Sequence, residues 1–354
     1  MMRILINTPK LDELGGVSNY FLVLKNYFTK SIKFHTVGTR NNVSGFLFFP
    51  FDIIGFIFNI IFWKPDVIIL NPSFGEKAVR RDAVYAFISN IFKINYIVFI
   101  HGWNEKFEKR VFFHNLFYIN NLFKAKTILV LSSEYEKKLI KFGYKGKITL
   151  TTSLVNNDLL KGADVKKKSD KNNDLIFLFL ARIIVEKGIF IAINAFANTL
   201  KNYPNCKLYI VGDGNSLKKA KNFVKNRFIK NVTFFGRLSG SELSQVYLES
   251  DVYLFPSYHG EGMPTSILEA MAFGLPVITT PNGGIKDFFV DNRMGYYINF
   301  KDGDSLVEKM MQLLENPELI LEISKFNKNF AYNNFLASKV ALDLEEIINK
   351  TYLL

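Results

Sequence analysis

The chain has 354 residues, 49% hydrophobic and 15% aromatic, which excludes a disordered polymer and exceeds what one core usually holds, so two domains are expected. The formal charge of +13 is uneven: residues 1–155 carry 21 Lys+Arg against 10 Asp+Glu, whereas residues 174–354 carry 19 of each. The single cysteine, Cys206, excludes an internal disulfide framework and fits a reducing cytoplasm, and Met1–Ile6 enters a strand-like run without a signal-peptide cleavage pattern.

Apolar strand-like runs alternate with amphipathic stretches from the start. In the first half strands are expected at Arg3–Asn7, Lys33–Val37, Val67–Asn71, Tyr96–Ile100, Thr127–Leu131 and Ile148–Thr152. Helices are expected between them at Ser18–Phe28, Glu76–Phe92 and Ser133–Phe142. The most apolar segment, Phe46–Trp63, approaches the length of a membrane span, but Pro50, Asp52, Gly55 and Asn59 interrupt it, so a buried or interface-facing helix is favoured over a spanning one. The turn after the third strand opens a basic helix, where Ser73, Lys77, Arg80 and Arg81 could hold the phosphate of an acceptor, or merely cover an exposed helix. Residues 156–173 are polar and turn-rich and read as a linker.

A second series follows, with strands at Leu175–Ala181, Lys207–Gly212, Val232–Gly236, Val252–Pro256, Pro276–Thr279 and Gly295–Asn299. Helices include Ile189–Leu200, Ser305–Glu315 and a terminal one over residues 335–354. Strands alternating with helices imply parallel sheets covered on both faces. The chain is therefore divided into an N-terminal acceptor-binding domain (1–155), a linker (156–173), a C-terminal donor-binding domain (174–334) and a helix (335–354) crossing back to the first domain. Ligands of such sheets sit at the carboxyl ends of strands, so the chemistry is expected in a central cleft faced by both domains.

The densest chemistry lies in HGEGMPTSILEAMAFGLPVITTPNGG, where Glu261 and Glu269 are separated by seven residues. Pro264 followed by Thr265 and Ser266 reads as a helix start, which places Glu261 in the preceding loop and Glu269 one to two turns into the helix. Loop amides and a helix N-terminus suit an anion, and carboxylates suit hydroxyls, so a nucleoside diphosphate sugar could meet the whole arrangement. Two surface acids remain the plain alternative.

This stretch resembles the E-x7-E signature of the retaining GT-B glycosyltransferases of family 4. LFLARIIVEKGIFIAINAF resembles that family's G-R-x-x-x-x-K-G element, and IVGDG at Ile210–Gly214 its following strand and turn. GGVSNY at Gly15–Tyr20 and FIHGW at Phe99–Trp103 are similar to its glycine loop and its HG/HD motif. The resemblance implies a GT-B fold of two Rossmann-like α/β domains and transfer of a sugar from a nucleotide-sugar co-substrate. It implies that Arg182 and Lys187 bind the diphosphate and steady it as it leaves, and that Glu269 accepts from the ribose hydroxyls. Glu261 is implied near the transferred sugar with the Gly262 and Met263 amides, with Gly283, Gly284 and Ile285 forming a loop near the diphosphate. Gly16 and Gly212 join the donor set, and His101 is implied at the sugar or its reacting centre. Two departures, Met263-Pro264 after E-G and Asp287 as the nearest acid after Gly-Gly, point to an altered sugar pocket.

No metal is expected: Asp302-Gly303-Asp304 resembles a metal-binding D-x-D but precedes a helix and reads as a cap, and no His/Cys cluster suggests zinc. Gly212-Asp213-Gly214 lacks the third glycine of a dinucleotide site. A nucleic-acid partner is disfavoured. The acceptor is expected to be a glycan or a lipid-linked intermediate of surface polysaccharide (capsule or O-antigen) synthesis at the inner face of an anionic membrane. The rivals are a GT-B sugar-nucleotide 2-epimerase and a catalytically silent subunit of an assembly complex. Alanine at Lys187 is expected to abolish donor-induced stabilisation while leaving the apo melting point nearly unmoved.

Overall fold

The computed structural model describes residues 2–13, 15–40, 43–108, 116–162 and 175–352. The chain divides into two compact units, Met1–Leu154 with Ala337–Leu354, and Val155–Leu336.

The first unit is built on a six-stranded parallel sheet: β1 (Arg3–Thr8), β2 (Ser31–Thr36), β3 (Val67–Leu70), β4 (Asn95–Ile100), β5 (Thr127–Val130) and β6 (Lys147–Leu150), in the order β2-β1-β3-β4-β5-β6. Runs such as VIIL in β3 and TILV in β5 are buried throughout, as a sheet covered on both faces requires. The order reverses between β1 and β3, which makes their carboxyl ends the switch point of this unit. The terminal helix Ala337–Tyr352 belongs to this unit. Its buried Glu345 carboxylate accepts from the Thr29 amide at 2.7 Å, the Lys30 amide at 2.8 Å and the Thr29 hydroxyl at 2.6 Å.

The Phe46–Trp63 stretch forms an α-helix, Gly45–Phe58, ending in a π-helical turn, Asn59–Trp63. Among the described residues it is the one helix long and apolar enough to cross a membrane by length and composition. Its inward face mixes apolar and polar groups, and its outer face is apolar. Asp52, Phe56, Asn59 and Ile60 face the unit, while Phe46 (82% exposed), Leu47, Phe51, Ile54, Phe58 and Phe62 face solvent. The inward polar groups have partners: Asp52 pairs with Arg40, and the Asn59 amide lies 3.4 Å from His35 Nδ1.

The second unit repeats the architecture with β7 (Ile176–Leu180), β8 (Lys207–Val211), β9 (Val232–Gly236), β10 (Val252–Phe255), β11 (Val277–Thr279) and β12 (Gly295–Tyr297), in the order β12-β11-β10-β7-β8-β9. Its switch point lies between β7 and β10. Of the segment read as linker, residues 163–173 lie outside the described residues, and Asn157–Leu160 form a 3₁₀ turn counted with the second unit. Leu159 O there accepts from the Ser244 hydroxyl at 2.6 Å. Asp302 caps helix Gly303–Glu315, its carboxylate accepting from Ser305 N at 3.0 Å.

Candidate active site

The loops leaving β7, β8, β10 and β11 are locked together at the carboxyl end of the second sheet. Beyond β7, Arg182 is exposed, Ile183 is buried, and Val185–Lys187 make one 3₁₀ turn. Ile183 N donates to Asp213 O at 2.9 Å and Ser216 N donates to Ile183 O at 3.0 Å, tying this loop to Gly212–Gly214 after β8. Gly188 has φ +81°, and a Cβ there would lie 2.2 Å from Pro256 O, so only glycine lets the turn press against the loop after β10.

That contact delivers Lys187 to Glu261. The two side chains, 10% and 9% exposed, form an ion pair, and the Ser257 hydroxyl donates to the same Glu261 Oε1 at 2.7 Å. The ammonium also stands 5.3 Å from the Phe255 ring centre. From the other side Gly283 (φ +53°) closes on Glu261; a Cβ there would sit 1.8 Å from its carbonyl oxygen. Gly284 N then donates to Gly262 O at 2.7 Å, and Gly283–Asp287 continue as a 3₁₀ turn with Ile285 buried. Gly262, the buried Met263 and the Gly-Gly turn thus form one backbone wall around the ion pair.

Glu269 lies in helix Thr265–Ala272, which starts after Pro264. It accepts from the Tyr247 hydroxyl at 2.9 Å, and burial pushes its pKa up to about 7, the tyrosine bond opposing the shift. Tyr253 donates to Leu180 O at 2.7 Å and accepts from the Ser266 hydroxyl at 2.7 Å, fixing this helix to the end of β7. The site residues Arg182, Lys187, Gly212, Glu261, Gly262, Met263, Glu269, Gly283, Gly284 and Ile285 therefore all lie on loops or on the helix at this end of one sheet.

The structure corrects the expected behaviour of a Lys187 variant. Removing one partner of a buried pair leaves the other charge without compensation, so the apo protein itself must lose stability. Sequence also missed the residues holding the acids. Ser257 lies four positions before Glu261 in the same loop, a legible spacing; Tyr247 is 22 positions from Glu269 and had no local signal.

The first unit's site residues have different surroundings. His101 follows β4 and packs on Phe99, with ring centres 3.8 Å apart, and edge-on to Tyr20 at 5.3 Å. Asn71 donates to Asn7 O at 2.7 Å, which turns its amide oxygen to His101 Nε2 at 3.1 Å. His101 Nε2 therefore carries the proton and Nδ1 keeps a lone pair. Desolvation holds the ring neutral, its pKa lowered to about 3, so it can accept a hydrogen bond but cannot serve as a cation near neutral pH. Gly16 is the first residue of helix Gly16–Leu24. Of the acceptor candidates, Ser73 and Lys77 are exposed, Arg80 pairs with Glu76 at 2.7 Å, and Arg81 pairs with the buried Asp82 at 2.7 Å.

Residues 161–333 match the family described as Glycosyl transferases group 1. An uncharacterized glycosyltransferase of Methanocaldococcus jannaschii is 24% identical over 321 residues, covering 90% of this chain and 76% of that protein. The alpha-monoglucosyldiacylglycerol synthase of Acholeplasma laidlawii is 26% identical over 220 residues, 58% of this chain and 54% of that protein. Among solved structures, the sucrose-phosphate synthase of Thermosynechococcus elongatus superposes with a TM-score of 0.77 at 17% identity, covering 100% of both chains.

Proposed function

We propose that the chain, which has the GT-B fold, is a glycosyltransferase that moves a sugar with retention, in the manner of family 4, from a nucleotide sugar to a lipid-linked intermediate of surface polysaccharide synthesis. The observation that carries the donor half is the Lys187–Glu261 pair enclosed by the Gly-Gly turn at the β7/β10 switch point. A diphosphate brought there competes with Glu261 for the Lys187 ammonium and finds Arg182 exposed nearby in the chain. The displaced carboxylate becomes free to accept from sugar hydroxyls. Glu269 takes the ribose hydroxyls, and the backbone wall at Gly262, Met263 and Gly284 lines the diphosphate, with the Gly284 N–H already committed to Gly262 O. The departing diphosphate supplies an oxygen to deprotonate the acceptor, so no protein base is required for retention. His101, held neutral with Nδ1 open, takes a sugar hydroxyl in this reading.

The acceptor half rests on the first unit. A basic surface, with 21 Lys+Arg against 10 Asp+Glu in residues 1–155, suits an anionic bilayer. The apolar outer face of Gly45–Trp63 suits insertion at the lipid interface, and in this reading the enzyme works at the inner face of the membrane. One relative is named for making a glycolipid, which agrees with a lipid acceptor.

The test is a panel of UDP-, GDP- and ADP-sugars read by thermal shift. It is followed by transfer to polyprenyl-phosphate-linked glycans and to diacylglycerol, with NMR of the product anomer. At least one donor should stabilise the protein and transfer with retained configuration to a polyprenyl-linked acceptor. Inverted product, or donor binding unchanged in Lys187→Ala, sinks the donor reading. Transfer to diacylglycerol alone sinks the polysaccharide assignment.

A further inference from the structure

The charge of the second unit is concentrated in one segment. Residues 214–241 hold seven basic residues (Lys218, Lys219, Lys221, Lys225, Arg227, Lys230 and Arg237) and no acidic one, although residues 174–354 balance at 19 and 19. Outside this segment, then, 12 basic residues face 19 acidic ones. Helix Leu217–Asn226 turns Ala220 into the core and leaves Lys218, Lys221 and Lys225 exposed at i, i+3 and i+7, on one face. Arg227 leans on the Phe223 ring at 4.3 Å, donating to Asn194 at 3.0 Å, and Lys221 stands 5.8 Å from the Phe234 ring centre. Among the described residues none of the seven is paired with a carboxylate.

The end of that helix carries a second, independent anomaly. Phe228 N donates to Lys225 O at 3.1 Å and Ile229 N donates to Val224 O at 3.1 Å, the two bonds of a helix stop that places Phe228 in the left-handed conformation, φ +53°. Glycine is favoured at this position because a Cβ is strained there. Here a phenylalanine occupies it and leaves 87% of its surface in solvent, the most exposed large apolar side chain among the described residues. The strain is thus not offset by packing within the chain. The same turn aims the ring outward beside the lysine face.

We infer that helix Leu217–Asn226 and Phe228 form a lipid-docking surface on the second unit: the lysines meet anionic phospholipid headgroups and the Phe228 ring enters the interface. Charge complementarity selects the headgroups, and the outward ring has a matching environment in the acyl boundary. A nucleic acid fits less well. The nearby exposed Phe235 packs edge-on to Tyr209 at 5.0 Å, so successive bases find no stacking platform. This surface is separate in sequence and in unit from Gly45–Trp63 and deepens the membrane reading without depending on that helix.

The full chain is tested by co-sedimentation with vesicles of phosphatidylcholine containing one-third phosphatidylglycerol, at low and high salt. Phe228→Gly should raise Tm, because glycine suits the left-handed turn, while lowering vesicle partitioning about tenfold, as expected for losing one buried aromatic ring. A variant both more stable and less membrane-bound cannot be explained by misfolding. K218E/K221E/K225E should lower binding by about a hundredfold or more and flatten its salt dependence. Unchanged binding in both variants, equal binding to pure phosphatidylcholine, or losses confined to a single-stranded oligonucleotide would each overturn the inference. F51S/F58S is measured in parallel: unchanged binding there counts against Gly45–Trp63 alone.

Discussion

The two sheets share a strand logic and differ in what they place at the reversal. In each, the chain runs outward from the first strand in one direction and then returns to its other side, between β1 and β3 in one unit and between β7 and β10 in the other. At β7/β10 the loops present charge, an exposed arginine and a lysine paired with Glu261, and the following helix adds a second acid held by a tyrosine and raised to about 7. At β1/β3 and the adjacent β4 the inward polar groups among the described residues include Asn7, Thr8, Asn71 and the neutral His101 imidazole, while the charged Lys10–Asp12 pair of the loop after β1 lies at the surface. Charge suits an ionic diphosphate whose negative charge grows as it leaves. Neutral donors and acceptors suit hydroxyl groups, whose recognition needs direction more than field. On the proposed reading, one scaffold would serve two kinds of recognition, with the loop residues deciding which.

The sharpest way to break that contrast is to remove the charge at β7/β10. Lys187→Ala should abolish donor-induced stabilisation and lower the transfer rate by about 10²-fold or more, the scale of losing one preorganised electrostatic group. Because Glu261 is then buried and uncompensated, the apo protein should also lose about 3 kcal/mol, read as a lower midpoint in urea. Lys187→Ala/Glu261→Gln should regain much of the stability and none of the activity. If the single variant unfolds at the wild-type midpoint, the pair is not buried in solution.

A smaller effect concerns pH. Glu269 is raised to about 7 by burial, so the native state keeps its proton where an unfolded glutamate has lost it. Its contribution to stability is therefore complete below pH about 4.5 and is lost as the pH rises through about 7. Ribose hydroxyls favour the ionised carboxylate, so donor binding should release a proton and tighten as the pH rises through 7. A UDP-sugar suits the titration because its diphosphate diester does not itself titrate there. Glu269→Gln should bind more weakly and show no such slope; a parallel slope in that variant would assign the proton to another group.

Much of the fold was legible in the sequence, for identifiable reasons. Buried parallel strands read as unbroken apolar runs, so VIIL and TILV mark β3 and β5 to within a residue or two. Asp302 was legible as a cap because capping depends on three residues of local chain. The Lys187–Glu261 pairing was not, because it joins positions 74 apart, and a motif assigns the two groups to different parts of a ligand without saying they hold each other in its absence. Nor was the orientation of Gly45–Trp63. A helix this apolar shows no clear face in its sequence, and its inward partners, Arg40 for Asp52 and His35 for Asn59, lie elsewhere in the chain. Phe228 illustrates a third case: its helix-stop position is visible only once backbone angles are known.

At the neutral reversal the expected changes are smaller still. Asn71→Ala removes the acceptor that holds His101 Nε2–H, freeing the ring to take either tautomer and to rotate. Transfer should fall about tenfold, at the low end of what one positioned hydrogen-bonding group supplies. Donor-induced stabilisation from the β7/β10 site should be unaffected. His101 itself, lowered to about 3, should leave no inflection in the rate profile between pH 5 and 8. An inflection near 6 that disappears in His101→Gln would show that the imidazole is charged during turnover. In that event the two reversals would differ in degree and not in kind.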